Sequence, residues 1–166
     1  YGSLLGTKLA LAGHDVTLVC LPAEAEATNR DGARVRLPLR GHAPVELDSR
    51  AAPGRLVAAG PAAVNPKDFD LVALAMQEPQ YGSAGVRELL EAVARAKVPC
   101  MSIMNMPPLP YLARLPGLET KALASAFTDP SVWQGFDPAL MTLCSPDPQA
   151  FRPPEEATNV LQVTLP

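Results

Sequence analysis

The chain opens Tyr1-Gly2-Ser3-Leu4-Leu5-Gly6 and continues into a largely apolar stretch. A glycine where a strand gives way to a helix is a chemical device. Lacking a Cβ, it lets the backbone approach a phosphate, while the first helical amides and the helix dipole face the anion. In dinucleotide folds the device reads G-x-G-x-x-G, and Gly2, followed by Ser3, stands where its last glycine would be. Taken alone, Gly2 reads just as well as a residue near a chain end. The helix, turn and strand behind it give the phosphate-loop reading its weight.

Three further places carry groups suited to a nucleotide or its reacting end. The first is Cys20-Leu21, after the next strand. There an acidic residue would hold a free ribose 2′-hydroxyl and an arginine would hold a 2′-phosphate. Neither stands there, so the charge would have to come from Arg30, Arg34 or Arg36, which otherwise read as solvated charges on a hairpin. The second is Ala75-Met76-Gln77, at the end of a buried strand. Ligands of open parallel sheets sit beyond such ends, so Met76 and Gln77 would border a cofactor; the competing reading makes Met76 ordinary core. The third is Asn105, which closes another buried strand. Its amide both donates and accepts, as a carboxamide or substrate oxygen beside a nicotinamide requires, but it also suits a strand cap.

The elements that position these residues follow from apolar periodicity. Gly2 to Ala12 reads as a helix with Leu4, Leu5, Leu9 and Ala12 on one face, and Gly13 ends it. Val16 to Cys20 is a short β-branched run, expected to be buried on both faces. Ala23 to Arg30 suits a short helix. Asp31-Gly32 signals a turn, Ala33 to Pro38 alternates as a half-exposed strand, and Ala43 to Leu47 and Arg55 to Ala59 suit short strands. Phe69 to Met76 and Val98 to Met104 are buried strands flanking an amphipathic helix, Ser83 to Ala96, with Ser83 as N-cap and Val86, Leu89, Leu90 and Val93 inward. Strand, helix, strand, repeated, predicts an α/β fold, a Rossmann-like parallel sheet with helices on both faces. Beyond Asn105 the prolines of Met106 to Tyr111 argue against regular structure. Leu118 to Phe127 suits a helix. Leu140 to Cys144 and Val160 to Leu165 suit strands, joined through Pro146, Pro148, Pro153 and Pro154.

Composition narrows the function. The 166 residues are 48% hydrophobic and 19% charged, enough to build the core of one domain. A net charge of −3, with no adjacent pair of lysines or arginines, leaves no nucleic-acid footprint. No metal site is expected. Cys20, Cys100 and Cys144 are far apart and lack metal-ligand spacing, so they read as reduced, mostly buried thiols of a cytoplasmic protein. No run of 18 apolar residues marks a membrane span, and no signal peptide is apparent. Tyr1 at the very start of a helix predicts that the first strand and the start of the glycine-rich loop lie upstream.

These motifs in order resemble the ketopantoate reductase (2-dehydropantoate 2-reductase) family. GSLLGTKLALAGHDVTLVC resembles the family's opening, Asp31-Gly32-Ala33-Arg34-Val35 its next segment, FDLVALAM its next buried strand, and SIMN the strand ending in its asparagine. The resemblance covers about Gly2 to Asn105. It implies an NADP-dependent reduction of a small 2-keto acid, with NAD as the alternative cofactor. Gly2 and Ser3 would serve the pyrophosphate, Leu21, Met76 and Gln77 would border the cofactor, and Asn105 would serve the nicotinamide and substrate side as the catalytic contribution of this chain.

The departures are specific. Leu21 replaces the family's arginine, Gln77 stands nearest its lysine, and Met106-Pro107-Pro108 follows Asn105 where glycine is usual. The family's helical second domain, which holds the catalytic lysine, has no counterpart here, so turnover is not expected of residues 1–166 alone. The expected organisation is an incomplete NAD(P)-binding domain, core 1–105 with a proline-rich extension 106–166, and a homodimer formed through the missing domain. A non-catalytic dinucleotide binder, or an interaction module with exposed Trp133 or Phe136 in its proline-rich half, are the competing functions.

Overall fold

The computed structural model describes residues 1–144 and 150–164. In chain order the elements are α1 (Gly2–Leu11), β1 (Val16–Val19), α2 (Pro22–Asp31), β2 (Arg34–Leu39), β3 (His42–Asp48), β4 (Leu56–Ala59), β5 (Val72–Leu74), α3 (Val86–Ala96), β6 (Cys100–Ser102), the single turns α4 (Leu109–Leu112) and α5 (Thr120–Leu123), β7 (Met141–Leu143), β8 (Ala150–Phe151) and β9 (Val160–Val163). The fold is mixed α/β with parallel strand pairs, as the alternation of strands and helices predicts. They form two units, Tyr1–Val64 with Asp147–Pro166, and Asn65–Pro146.

In the first unit β1 pairs in parallel with β4, Val16 opposite Leu56 through Val19 opposite Ala59. Glycine at position 6 brings α1 close onto this pair. A Cβ there would lie 2.9 Å from a Leu18 methyl and 3.3 Å from one of Val16. Val16 and Leu18 therefore face α1, while Thr17 and Val19 point to the opposite face. That explains why β1 is not buried on both faces as predicted: Val19 is 42% exposed, and α2 packs mainly on β4. Gly13, at φ +94°, reverses the chain behind α1. Gly54 then donates its N–H to the Ala10 carbonyl at 2.9 Å, and a Cβ on it would sit 2.2 Å from the His14 carbonyl oxygen. Asn29 of α2 closes the outer edge of β4, its amide bonding both the N–H and the carbonyl of Ala58 at 2.8 Å.

A second sheet runs β3-β2-β9-β8. Within it β2 and β9 are parallel and the outer pairings antiparallel. The pairing slips between Leu37 and Leu39, where Pro38 has no N–H to offer a ladder. Val35, Leu161 and Val163 make its core, and Leu4 of α1 packs against them, so the first turn of α1 is anchored. Asn159, 4% exposed, donates to the Gly32 carbonyl at 2.7 Å and fixes the entry to β2.

The second unit holds the parallel sheet β5-β6-β7. Helix α3 presents Leu90 and Val93, with Val86 and Leu89 at the rim, to a core that contains Leu74, Cys100 and Met141. Each fully buried aliphatic side chain of this kind contributes about 1.5–3 kcal/mol. Tyr81, Trp133 and Phe136 stack in sequence, with ring centroids 5.3 and 5.8 Å apart.

Several details differ from the sequence reading. Ser83 is not the N-cap of α3. Its hydroxyl donates to the Gln80 carbonyl at 2.6 Å, and Gly85 precedes the helix, its N–H donating to the Glu88 carboxylate. Leu109–Leu112 is helical despite Pro110, because a proline in the first turn needs no donor. Trp133 is 4% exposed and Phe136 packs against the same core, so neither offers the exposed docking surface the proline-rich half suggested. Cys100 is buried and Cys20 half-buried, but Cys144 is exposed. The late strands are integral to the sheets rather than an appendage, β7 beside β6 and β9 beside β2. Pro146, Pro148 and Leu165 lie outside the described residues.

Candidate functional site

In the first unit the start of α1 is a set of uncommitted donors. Its first intrahelical bond runs from Leu5 N–H to Tyr1 O at 2.9 Å, so the amides of Gly2, Ser3 and Leu4 precede the ladder. Among the described residues no side chain caps them, and the first turn holds no acidic residue. Gly2 and Ser3 are half-buried. Amides at a helix start are donors suited to an anion.

The end of β1 is joined to this helix start by a residue from far along the chain. Arg152, just after β8, points one guanidinium nitrogen to Ser3 Oγ at 3.5 Å and to a carboxylate oxygen of Glu24 at 3.1 Å. Glu24 belongs to the first turn of α2. Cys20, at the carboxyl end of β1, feels both charges. Its thiol is pushed up by burial first and by Glu24 second, with Arg152 pulling the other way. Gly2, Ser3, Cys20, Glu24 and Arg152 thus form one neighbourhood.

Leu21 stands at its margin, 70% exposed, and is extended at φ −65°, ψ 153° ahead of Pro22, the first residue of α2. Its side chain has no polar group to give, and its carbonyl accepts from Ala25 N–H at 2.9 Å. Two of the three arginines expected to offer charge here are engaged elsewhere. Arg30 pairs with Asp31 at 2.9 Å, and Arg36 joins Glu46 at 3.0 Å and Glu156 at 2.6 Å across the second sheet. Arg34 lies on β2 opposite Asp48. Arg30 and Arg36 thus fit the solvated-charge alternative, while the Nε of Arg34 is buried with no partner among the described residues. Arg152 and Glu24 were missed by sequence reasoning. Nothing local to Arg152 links it to Ser3; only the antiparallel return of β8 beside β9 brings it there.

In the second unit the other expected residues sit at strand ends. Met76 is half-buried and packs on the core, and its carbonyl accepts from Tyr81 Oη at 3.3 Å, which favours the core reading of its side chain. Gln77 is exposed and starts the turn Glu78–Gly82, its N–H donating to Gln80 Oε1 at 2.9 Å. Asn105 is exposed, and its amide has no hydrogen-bond partner among the described residues, so nothing supports the strand-cap reading. Three residues before it, the Ser102 hydroxyl is fully buried without a partner among the described residues. Glu78, also unforeseen, clamps Thr128 through its N–H at 2.9 Å and its hydroxyl at 2.7 Å. Buried Tyr81 and Cys100 are held neutral, their pKa values pushed up by desolvation to about 12 and about 11.

Among the described residues no group of three or more histidine, cysteine or acidic side chains is arranged to hold a metal ion, and no helix is long and apolar enough to cross a membrane.

No family model matches the sequence, and no curated protein matches it. Among solved structures it is similar to a protein from Ralstonia solanacearum MolK2 assigned as a ketopantoate reductase, with a TM-score of 0.63 at 16% identity. The superposition covers 98% of this chain and 46% of that one. At that identity the likeness speaks for the fold alone, and the chain spans less than half the length of the structure it matches.

Proposed function

We propose that this chain is the nucleotide-binding part of a reductase that uses a nicotinamide dinucleotide, NADP in the first instance and NAD as the alternative, to reduce a small 2-keto acid. The observation that carries the reading is the start of α1: a glycine and a serine with uncommitted amides, no carboxylate in the first turn, and the cation of Arg152 beside Ser3. Such a set suits a pyrophosphate. In this reading Gly2 and Ser3 meet the pyrophosphate, Leu21 borders the adenosine side, Met76 and Gln77 border the cofactor through backbone and strand end, and Asn105 presents a free amide to the nicotinamide or the substrate oxygen. Once bound, the reduced cofactor supplies hydride to the carbonyl carbon, and the oxygen gains a proton from a group outside residues 1–166, giving a 2-hydroxy acid. The chain's own residues bind and orient; they are not asked to transfer a proton.

The experiment is a turnover assay with the full-length protein, NADPH or NADH, and a panel of 2-keto acids, followed at 340 nm. Oxidation of a reduced cofactor that depends on one keto acid supports the reading. Cofactor binding without turnover on any keto acid would leave a dinucleotide-binding protein and remove the reductase.

A further inference from the structure

We propose that Arg152 is the cation that receives a phosphate group of the dinucleotide, and that Glu24 is the carboxylate that holds it ready. The inference rests on the dinucleotide reading above and assigns a residue that the reading leaves open. The place next to the second strand of such a fold decides how a nucleotide's phosphates are held, and here it contains Leu21, which has no charge. Of the arginines near it in sequence, Arg30 and Arg36 are paired with carboxylates elsewhere, and Arg34 lies on β2 opposite Asp48. Arg152 alone among these arginines reaches the start of α1, 3.5 Å from Ser3 Oγ and 3.1 Å from Glu24 Oε1.

The arrangement has a direction. Arg152 is 39% exposed and Glu24 24%, so the guanidinium keeps contact with solvent on the side away from its partner. Among the described residues its other N–H groups have no partner, which leaves them for the bidentate pair that a phosphate accepts. Ser3 places that fork beside the first amides of α1. Glu24 has an opposing effect: it holds the arginine in place and repels an incoming anion. Arg152 is thus expected to favour, and Glu24 to weaken, binding of any ligand with a phosphate at this point. The phosphate can be the pyrophosphate or a ribose 2′-phosphate, and the cofactors distinguish them.

The test titrates the full-length protein with NADPH, NADH and ADP, for wild type, Arg152→Gln and Glu24→Gln, with thermal melting as a check on folding. Arg152→Gln is expected to weaken binding by about tenfold or more. An equal loss for all three ligands assigns Arg152 to the pyrophosphate. A loss confined to NADPH assigns it to the 2′-phosphate. Glu24→Gln is expected to strengthen the same ligands by about threefold, the opposite sign from a merely structural pair. Because the pair is partly exposed, both variants are expected to melt within about 4 °C of wild type. If wild type binds and Arg152→Gln binds equally well, this assignment is overturned while the dinucleotide reading stands. If wild type binds none of the three, the dinucleotide reading falls and takes this one with it.

Discussion

Replacing Gly54 with alanine probes how the end of α1 and the turn into β1 are held in place. The methyl group would lie 2.2 Å from the His14 carbonyl oxygen and 2.8 Å from that of Ala10. Both are backbone atoms, and heavy atoms prefer about 3.5 Å or more. No rotamer relieves the overlap, so the loop before β4 must retreat from the α1–β1 turn by roughly an ångström. That breaks the 2.9 Å bond from Gly54 N–H to the Ala10 carbonyl, which is fully buried at its residue. The lost bond costs about 1 kcal/mol and the overpacking a further 1–3. At about 2–4 °C per kcal/mol for a domain of this size, the melting temperature should fall by roughly 4–16 °C. Gly60→Ala is the control. Gly60 has φ −76°, ψ 161°, and a Cβ there meets nothing within 4 Å. It should leave stability unchanged or raise it by a few tenths of a kcal/mol, through a less flexible unfolded chain. Circular dichroism melts of both variants decide. A drop of less than about 2 °C for Gly54→Ala, or equal drops for both, would refute the argument that this close approach holds the turn.

Other outcomes follow from single residues. Asn105→Ala should change stability by less than about 0.5 kcal/mol, since its amide has no partner among the described residues; keto-acid turnover should fall far more than the melting temperature, and the reverse would return Asn105 to a structural role. Asn29→Ala removes both bonds to Ala58 and should cost about 1–2 kcal/mol in urea unfolding, with no loss meaning the β4 edge does not need its cap. Cys100 and Tyr81 have folded-state pKa values raised to about 11 and about 12 from 9.0 and 10.0. Their neutral forms therefore add stability below about pH 9 that is lost as pH climbs toward 11–12. Urea midpoints should decline across that window, and Cys100→Ala should shrink the decline; an unchanged slope would show that other groups set it.

Much of this fold was legible in apolar spacing. The helix from Gly2, the strand from Val16, the inward face of Val86, Leu89, Leu90 and Val93, and the strand at Cys100 all emerge where periodicity puts them, because burial on one face is what periodicity records. Boundaries were less legible. Ser83 has a hydroxyl fit for capping, but the turn begun by Gln77 captures it first. Pro110 looked like a breaker, and only the position of the turn makes it an acceptable start. The site divides similarly. Gly2 and Ser3 stand out as candidates from local chemistry alone. Arg152 and Glu24 do not, because their pairing depends on a strand return across more than a hundred residues, which no local pattern encodes. Trp133 misled for a related reason: proline-rich surroundings suggested exposure, while stacking against Tyr81 and Phe136 buries it.

The central claim is that the first unit accepts a dinucleotide at the start of α1. Its most direct test is a fluorescence titration of the full-length protein with NADPH and NADH. Saturable binding at micromolar concentrations, weakened by Gly2→Val at the helix start, is the expected result. Binding of neither cofactor by a folded protein would contradict the claim.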